Sequence, residues 1–238
     1  MTTVRKDMGS VTLNKTLFSQ RGLIVSCQAL EDEPLHGGDT IRKMAVAAQM
    51  SGAIGIRTNG AHDIRSIKEA VDVPVIGLIK RDIPGSDIFI TPTLDEVKAI
   101  VEAGADIVAL DVTDREGRLD QVRELIAYAH QAGAAVMADV STFEEGAAAE
   151  RLDADYIGTT LSGYTPYSPQ LEGPDFELVR RLSETVSVPV VAEGRIWTPE
   201  EAVKALEAGA TYVVVGSAIT RPQLITRRYV EALRKLIP

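Results

Sequence analysis

Short runs of Val, Ile and Leu punctuate the chain at Leu23–Ser26, Ile54–Ile56, Val75–Ile79, Ile107–Leu110, Ala135–Ala138, Tyr156–Gly158, Val190–Ala192 and Tyr212–Val215. Each is nearly continuous in hydrophobicity, the pattern of parallel strands buried on both faces. Between them lie polar segments whose apolar residues recur at helical spacing, among them Leu94–Glu102, Leu119–Ala132, Phe176–Thr185 and Pro199–Ala208. The alternation predicts eight strand–helix units.

Several helices leave for the next strand in the same way. "EAGADIVALD" (Glu102–Asp111), "EAGATYVVVGS" (Glu207–Ser217) and "QAGAAVMAD" (Gln131–Asp139) each place a Gly where a left-handed helix cap is needed, then enter a strand directly. "VDVPVIGLIK" (Val71–Lys80) and "VSVPVVAEGR" (Val186–Arg195) form a second matching pair, as in two similar half-barrels; recurrence of a short loop by convergence gives the same trace. Eight units with short loops predict an α/β fold, a single-domain (β/α)₈ TIM barrel over residues 1–238, with residues 1–21 as a segment, read as a short helix, that closes the barrel bottom. The competing open sheet of the dinucleotide-binding type needs a Gly-rich turn after its first strand, and "VSCQALEDEP" has none.

Composition narrows the partners. A formal charge of -9 argues against nucleic acid or an anionic membrane, both of which call for a basic face. Any bound anion must then be held by local positive groups. The lone Cys27 rules out an internal disulfide framework and suits a reducing compartment. No run reads as a signal peptide or membrane span, so the expectation is a cytoplasmic enzyme or binding domain.

In a barrel of this kind chemistry sits at the C-terminal ends of the strands. Those positions carry Gln28, Arg57, Lys80, Asp111, Asp139, Thr159 with Thr160, Glu193 with Gly194, and Gly216 with Ser217. Bland readings compete at several. Arg57 and Lys80 serve equally as solvated rim charges, and Asp139 precedes a Ser141/Glu144 pattern suggestive of a helix cap. Glu193 is harder to dismiss, because a carboxylate ending an apolar strand needs a cationic partner or a raised pKa. Lys80 shares its inward parity and is the expected partner.

A phosphate site is expected where "AEGRI" and "VGSAITRP" follow the seventh and eighth strands, at Gly194, Arg195, Gly216 and Ser217. Glycine N–H groups and a short helix beginning at "SAIT" suit an anion there, and Arg221 adds charge. The bland reading is two turns in which Gly serves geometry alone. His36, His62 and His130 are scattered and suggest no metal site, and Cys27 reads as a buried thiol rather than a nucleophile. "LSGYTPYSPQLEGPDFE" (residues 161–177) is long enough to read as a lid or as a plain connection.

The segments "GLIVSCQAL", "GAIGIRTNG", "PVIGLIKRD", "ITPTLDEV", "ADIVALDVTDR", "MADVST", "DYIGTTLSGYT", "VVAEGRI" and "VVVGSAITRP" resemble the N-acetylmannosamine-6-phosphate 2-epimerase family along almost the whole chain. Other phosphate-binding barrels share only the last two. The resemblance implies interconversion of N-acetylmannosamine 6-phosphate and N-acetylglucosamine 6-phosphate in sialic acid catabolism, without cofactor or metal. It implies a catalytic pair at Lys80 and Glu193, with binding residues at Gln28, Arg57, Asp139 and Arg221. The partner expected is a phosphorylated amino sugar, and a homodimer is compatible with a barrel of this size.

The chemistry has matching demands. Inverting C2 requires an open-chain aldehyde, a base for the C2 proton, a proton donor on the other face and a cation near the enolate oxygen. Two other readings stay open here: a metal-dependent pentulose-phosphate 3-epimerase, for which no strand-end His is available, and a phosphosugar-binding regulator without catalysis.

Overall fold

The computed structural model describes residues 17–37 and 39–236. Its strands are β1 Gly22–Cys27, β2 Gly55–Asn59, β3 Val75–Leu78, β4 Ile107–Asp111, β5 Ala135–Asp139, β6 Tyr156–Gly158, β7 Val190–Glu193 and β8 Tyr212–Val215. They alternate with α1 Thr40–Met50, α2 Ala61–Lys68, α3 Leu94–Glu102, α4 Arg118–Gln131, α5 Phe143–Arg151, α6 Phe176–Thr185 and α7 Pro199–Glu207; α8 Ser217–Thr220 and α9 Pro222–Arg234 follow β8. Each strand pairs in parallel with the next and β8 pairs with β1, closing a (β/α)₈ barrel in sequence order. The eight apolar runs correspond to the eight strands, and three strands extend one residue further to take in Asp111, Asp139 and Glu193.

Strand parity decides what faces where. Outward residues such as Val25, Ile56, Val108, Val136, Ile157 and Val213 pack under the helices in one large cluster. Inward residues Ile24, Ile76, Leu78, Ile107, Met137, Tyr156, Val191 and Tyr212 fill the barrel interior. This is why the runs read as continuously apolar: both faces of each strand are buried. One step further along the same inward rows stand Ser26, Arg57, Lys80, Asp139 and Glu193.

Helix starts use one device three times. Thr93, Thr142 and Thr198 each cap the helix that follows and are met in return by Glu96, Glu145 and Glu201. The cap expected from Ser141 and Glu144 is therefore one residue out of register. Ser141 serves α5 indirectly, its N–H and hydroxyl both donating to Glu145 Oε2 at 2.6 and 2.8 Å.

At the bottom of the barrel Phe18 is buried against Tyr212 and Tyr156, with ring centroids 4.7 and 5.8 Å away. Leu17 N–H donates to the Tyr156 hydroxyl at 3.1 Å. Residues 18–21 are a series of bends rather than the short helix expected, and residues 1–16 of that expectation lie outside the described residues. Among the described residues no helix is long and apolar enough to cross a membrane. The helix α9 buries no residue, leaving Tyr229 and Leu233 exposed along it.

Candidate active site

A cavity of about 350 Å³ opens at the C-terminal mouth, walled by Gln28, Arg57, Lys80, Thr160, Glu193 and Arg221 together with the turns after β7 and β8. At its floor lies Arg57, which is no rim charge: it is 1% exposed and points up the barrel from β2. Its Nη2 and Nη1 donate to Asp139 Oδ2 and Oδ1 at 2.6 and 3.2 Å. A bidentate pair of this kind offsets the cost of taking both charges out of water. Arg57 Nε is left without a hydrogen bond and lies 3.4 Å from Glu193 Oε1.

Arg57, not Lys80, is thus the ionic neighbour of Glu193. The expected Lys80–Glu193 pair is replaced by a floor in which Arg57 is shared between Asp139 and Glu193, because β2 sends its long guanidinium across the interior beneath Lys80. Glu193 is only 14% exposed. Burial pushes its pKa up, and Asp139 adds to this; Arg57, the Thr160 hydroxyl and then Lys80 oppose it. The result is a carboxyl that holds its proton more tightly than usual.

Lys80 follows β3 at inward parity, where an antiparallel bridge to Ile90 and a hydrogen bond from its N–H to Asn59 Oδ1 (2.8 Å) fix the backbone. Burial, with the charges of Arg57 and Arg221, lowers its pKa from 10.5 to about 8, against the smaller pull of Glu193 and Asp139. An amine in that range is a competent base near neutrality.

Asp139, expected to touch the ligand, is fully buried below the cavity with both oxygens engaged. Its place is that of an anchor for Arg57. Gln28 walls the cavity, donating from Nε2 to Ser26 Oγ at 2.8 Å while its buried Oε1 has no partner among the described residues. The guanidinium of Arg221 pairs with Glu33 at 2.9 Å and still lines the mouth.

Gly194, Arg195, Gly216 and Ser217 come together on one wall. Gly194 has φ of 110° and Arg195 of 56°, a left-handed double turn that a β-carbon at the first position would strain. Ser217 opens α8, in which the Ile219 and Thr220 N–H groups donate to the Gly216 carbonyl at 2.9 and 3.0 Å, while those of Ser217 and Ala218 have no preceding turn to bond to. The Arg195 guanidinium donates to the carbonyls of Gly173 (2.8 Å) and Ser162 (2.6 Å), so its charge meets no carboxylate there.

Those bonds also bear on the long loop after β6. Besides Arg195, Ser162 is tied to Asp175 at 2.7 Å and Tyr167 to Glu145 at 2.8 Å. The Arg195 and Tyr167 bonds tie the loop to the barrel, and the Ser162–Asp175 bond joins its two ends. Tyr164 from this loop, Phe89 from the segment after β3 and Trp197 after β7 complete the walls, and none was anticipated. Thr160 carried a usable signal, its inward parity two residues beyond Gly158. Phe89 carried none, since the bridge that brings its segment back over Lys80 is a tertiary event.

Burial pushes the Cys27 thiol up to about 12, and His130 is held by Asp155 at 2.9 Å, which raises its pKa. Among the described residues no three His, Cys, Asp or Glu side chains gather closely enough to hold a metal ion.

Closed barrel and charged mouth together define a (β/α)₈ protein of the kind that performs chemistry at its strand ends. The profile of one family, described as "Putative N-acetylmannosamine-6-phosphate epimerase", matches residues 41–235. A relative from Caldanaerobacter subterraneus subsp. tengcongensis, named "Putative N-acetylmannosamine-6-phosphate 2-epimerase", is 57% identical over 219 residues, covering 91% of this chain and 92% of its own. The N-acetylmannosamine-6-phosphate 2-epimerase from Clostridium perfringens has a solved structure that superimposes with a TM-score of 0.86 at 49% identity, over 91% of this chain and 94% of that one. A thiamine phosphate pyrophosphorylase from Pyrococcus furiosus, at 19% identity and a TM-score of 0.59 over 87% of this chain and 90% of its own, shares the fold alone. The chain belongs to the N-acetylmannosamine-6-phosphate epimerase family.

Proposed function

We propose that this protein interconverts N-acetylmannosamine 6-phosphate and N-acetylglucosamine 6-phosphate by removing and returning the proton at C2. The observation that carries the reading is that two proton-transfer groups of altered basicity, Lys80 and Glu193, enter one cavity with a buried guanidinium between them. Family membership supports the substrate, as does a cavity of about 350 Å³, within the usual range for small-molecule sites.

The phosphate sits against Gly194, Arg195, Gly216 and Ser217, where backbone N–H groups and the Arg195 charge attract an anion. Once the ring has opened, the neutral amine of Lys80 takes the C2 proton, and the protonated Glu193 returns one from the other face; the roles exchange in the reverse direction. Arg57 Nε, with no protein acceptor, is placed to meet the oxygen on which enolate charge develops. Gln28 and Arg221 hold the remaining polar groups of the sugar, and Asp139 acts through Arg57. Incubating the 6-phosphate in D₂O and following C2 by NMR tests the reading: deuterium enters C2 as the two epimers equilibrate, and a C2 that keeps its proton defeats it. A 6-phosphate that binds without exchange would instead point to a regulator.

The homodimer reading is supported by α9, whose Tyr229, Val230 and Leu233 present an exposed apolar row. Light scattering at micromolar concentration checks it, and a monomer mass removes it.

A further inference from the structure

Thr160 occupies an unusual position between two acids. Its Oγ1 lies 2.6 Å from Asp139 Oδ1 and 3.1 Å from Glu193 Oε2. A hydroxyl has one proton to donate and two lone pairs to accept with. Asp139 accepts from Arg57 with both oxygens, and the shorter of the two contacts is the one that takes the Thr160 proton. Thr160 then has no second proton to give, and a hydrogen bond across the longer contact requires Glu193 as the donor, in its protonated form. Gly158 clears the space for this, since a β-carbon there would strike Met137, Thr160 and Asp139.

We propose that Thr160 is a positioning residue that links Glu193 to Asp139 in a one-way hydrogen-bond chain, Glu193 O–H to Thr160 O–H to Asp139, and thereby stabilises the protonated form of Glu193. The proposal rests on the epimerase reading above and extends it by one residue. The other charged groups facing Glu193 are Arg57 from β2, Lys80 beyond β3 and Asp139 from β5. Arg57, Lys80 and a Thr160 hydroxyl that donates to the carboxylate draw the proton off, whereas burial and Asp139 hold it on. The chain adds an acceptor specific to the neutral carboxyl. If Thr160 donated to Glu193 instead, it would stabilise the anion and shift the balance in the opposite sense.

That difference in sign is the test. Turnover needs one proton shared by the pair, so the rate is bell-shaped in pH, with its acid limb set by Glu193 and its alkaline limb by Lys80. Thr160→Val removes the acceptor while keeping shape. The acid limb is expected to move down by roughly half to one pH unit, with kcat at the optimum falling about tenfold and KM little changed. Thr160→Ser, which keeps the hydroxyl, is expected to restore both. A limb that stays put or moves up in Thr160→Val overturns the proposal. Should that variant not fold, infrared difference spectra of the intact protein against Glu193→Gln serve instead, where absence of a protonated-carboxyl band at neutral pH overturns it. Failure of wild-type protein to exchange C2 would strike the epimerase reading, whereas normal wild-type exchange with an unmoved Thr160→Val profile strikes the chain alone.

Discussion

The two ends of this barrel interior are built from the same strands and do opposite things. At the bottom, Tyr156 and Tyr212 close around Phe18 in an aromatic plug without a charge. One or two inward steps along, the same wall carries Arg57, Asp139 and Glu193 nearly out of reach of water. The bottom is optimised for packing. The top holds groups whose charged forms burial disfavours, an arrangement that the proposed proton transfer calls for. The contrast separates residues that stabilise from residues that act, although all share one parity.

Substitutions at the two ends should therefore fail in different measurements. The largest effect is expected from Lys80→Ala, which should lower kcat by about 10²- to 10⁴-fold in a coupled epimerisation assay. Near-normal turnover would remove Lys80 from the chemistry. Arg57→Met should cost about 3–5 kcal/mol in urea unfolding, because it strands the Asp139 carboxylate in the interior, and should abolish turnover as well. Phe18→Ala should cost about 3 kcal/mol or more in the same experiment while leaving kcat near wild type. Equal loss of activity in Phe18→Ala and Arg57→Met would erase the distinction between the ends.

Two smaller effects sharpen it. Lys80 carries a folded-state pKa of about 8 against 10.5 for a free side chain, so the folded protein disfavours its ammonium form. The sign follows: the penalty is full below pH 8, shrinks as pH rises from 8 to 10.5, and vanishes above. Lys80→Met should accordingly raise the thermal midpoint at pH 7 by a few degrees while inactivating the protein, a gain that should be gone near pH 11. A lower midpoint would mean that packing of the lysine stem outweighs its charge. The alkaline limb of the wild-type rate profile is expected at about 8, read from kcat/KM between pH 6 and 10.

Much of this was legible in the residues. The strand ends pointed to Arg57, Lys80 and Glu193 because an apolar run that terminates in a charge has few structural excuses, and those three do meet in one cavity. Asp139 was legible as an inward acid but not as the partner of Arg57. The pairing depends on how far β2 leans toward β5 across the interior, and no spacing along the chain encodes that distance. Lys80 and Glu193 share parity, so direct pairing was the economical expectation; the guanidinium between them decided otherwise. The long loop after β6 reads by its Gly and Pro content as a lid or a plain connection, and its hydrogen bonds to Arg195 and Glu145, remote in sequence, were not legible.

Periodicity and strand punctuation by themselves determined the closed barrel, the inward rows and the end at which charge collects, since each follows from local geometry repeated eight times. Tertiary structure alone decided which inward charges neutralise one another, which acids the Thr160 hydroxyl touches, and how far Lys80 is stripped of water. Those are properties of distances across the barrel, where fractions of an ångström and the absence of solvent set the proton's position.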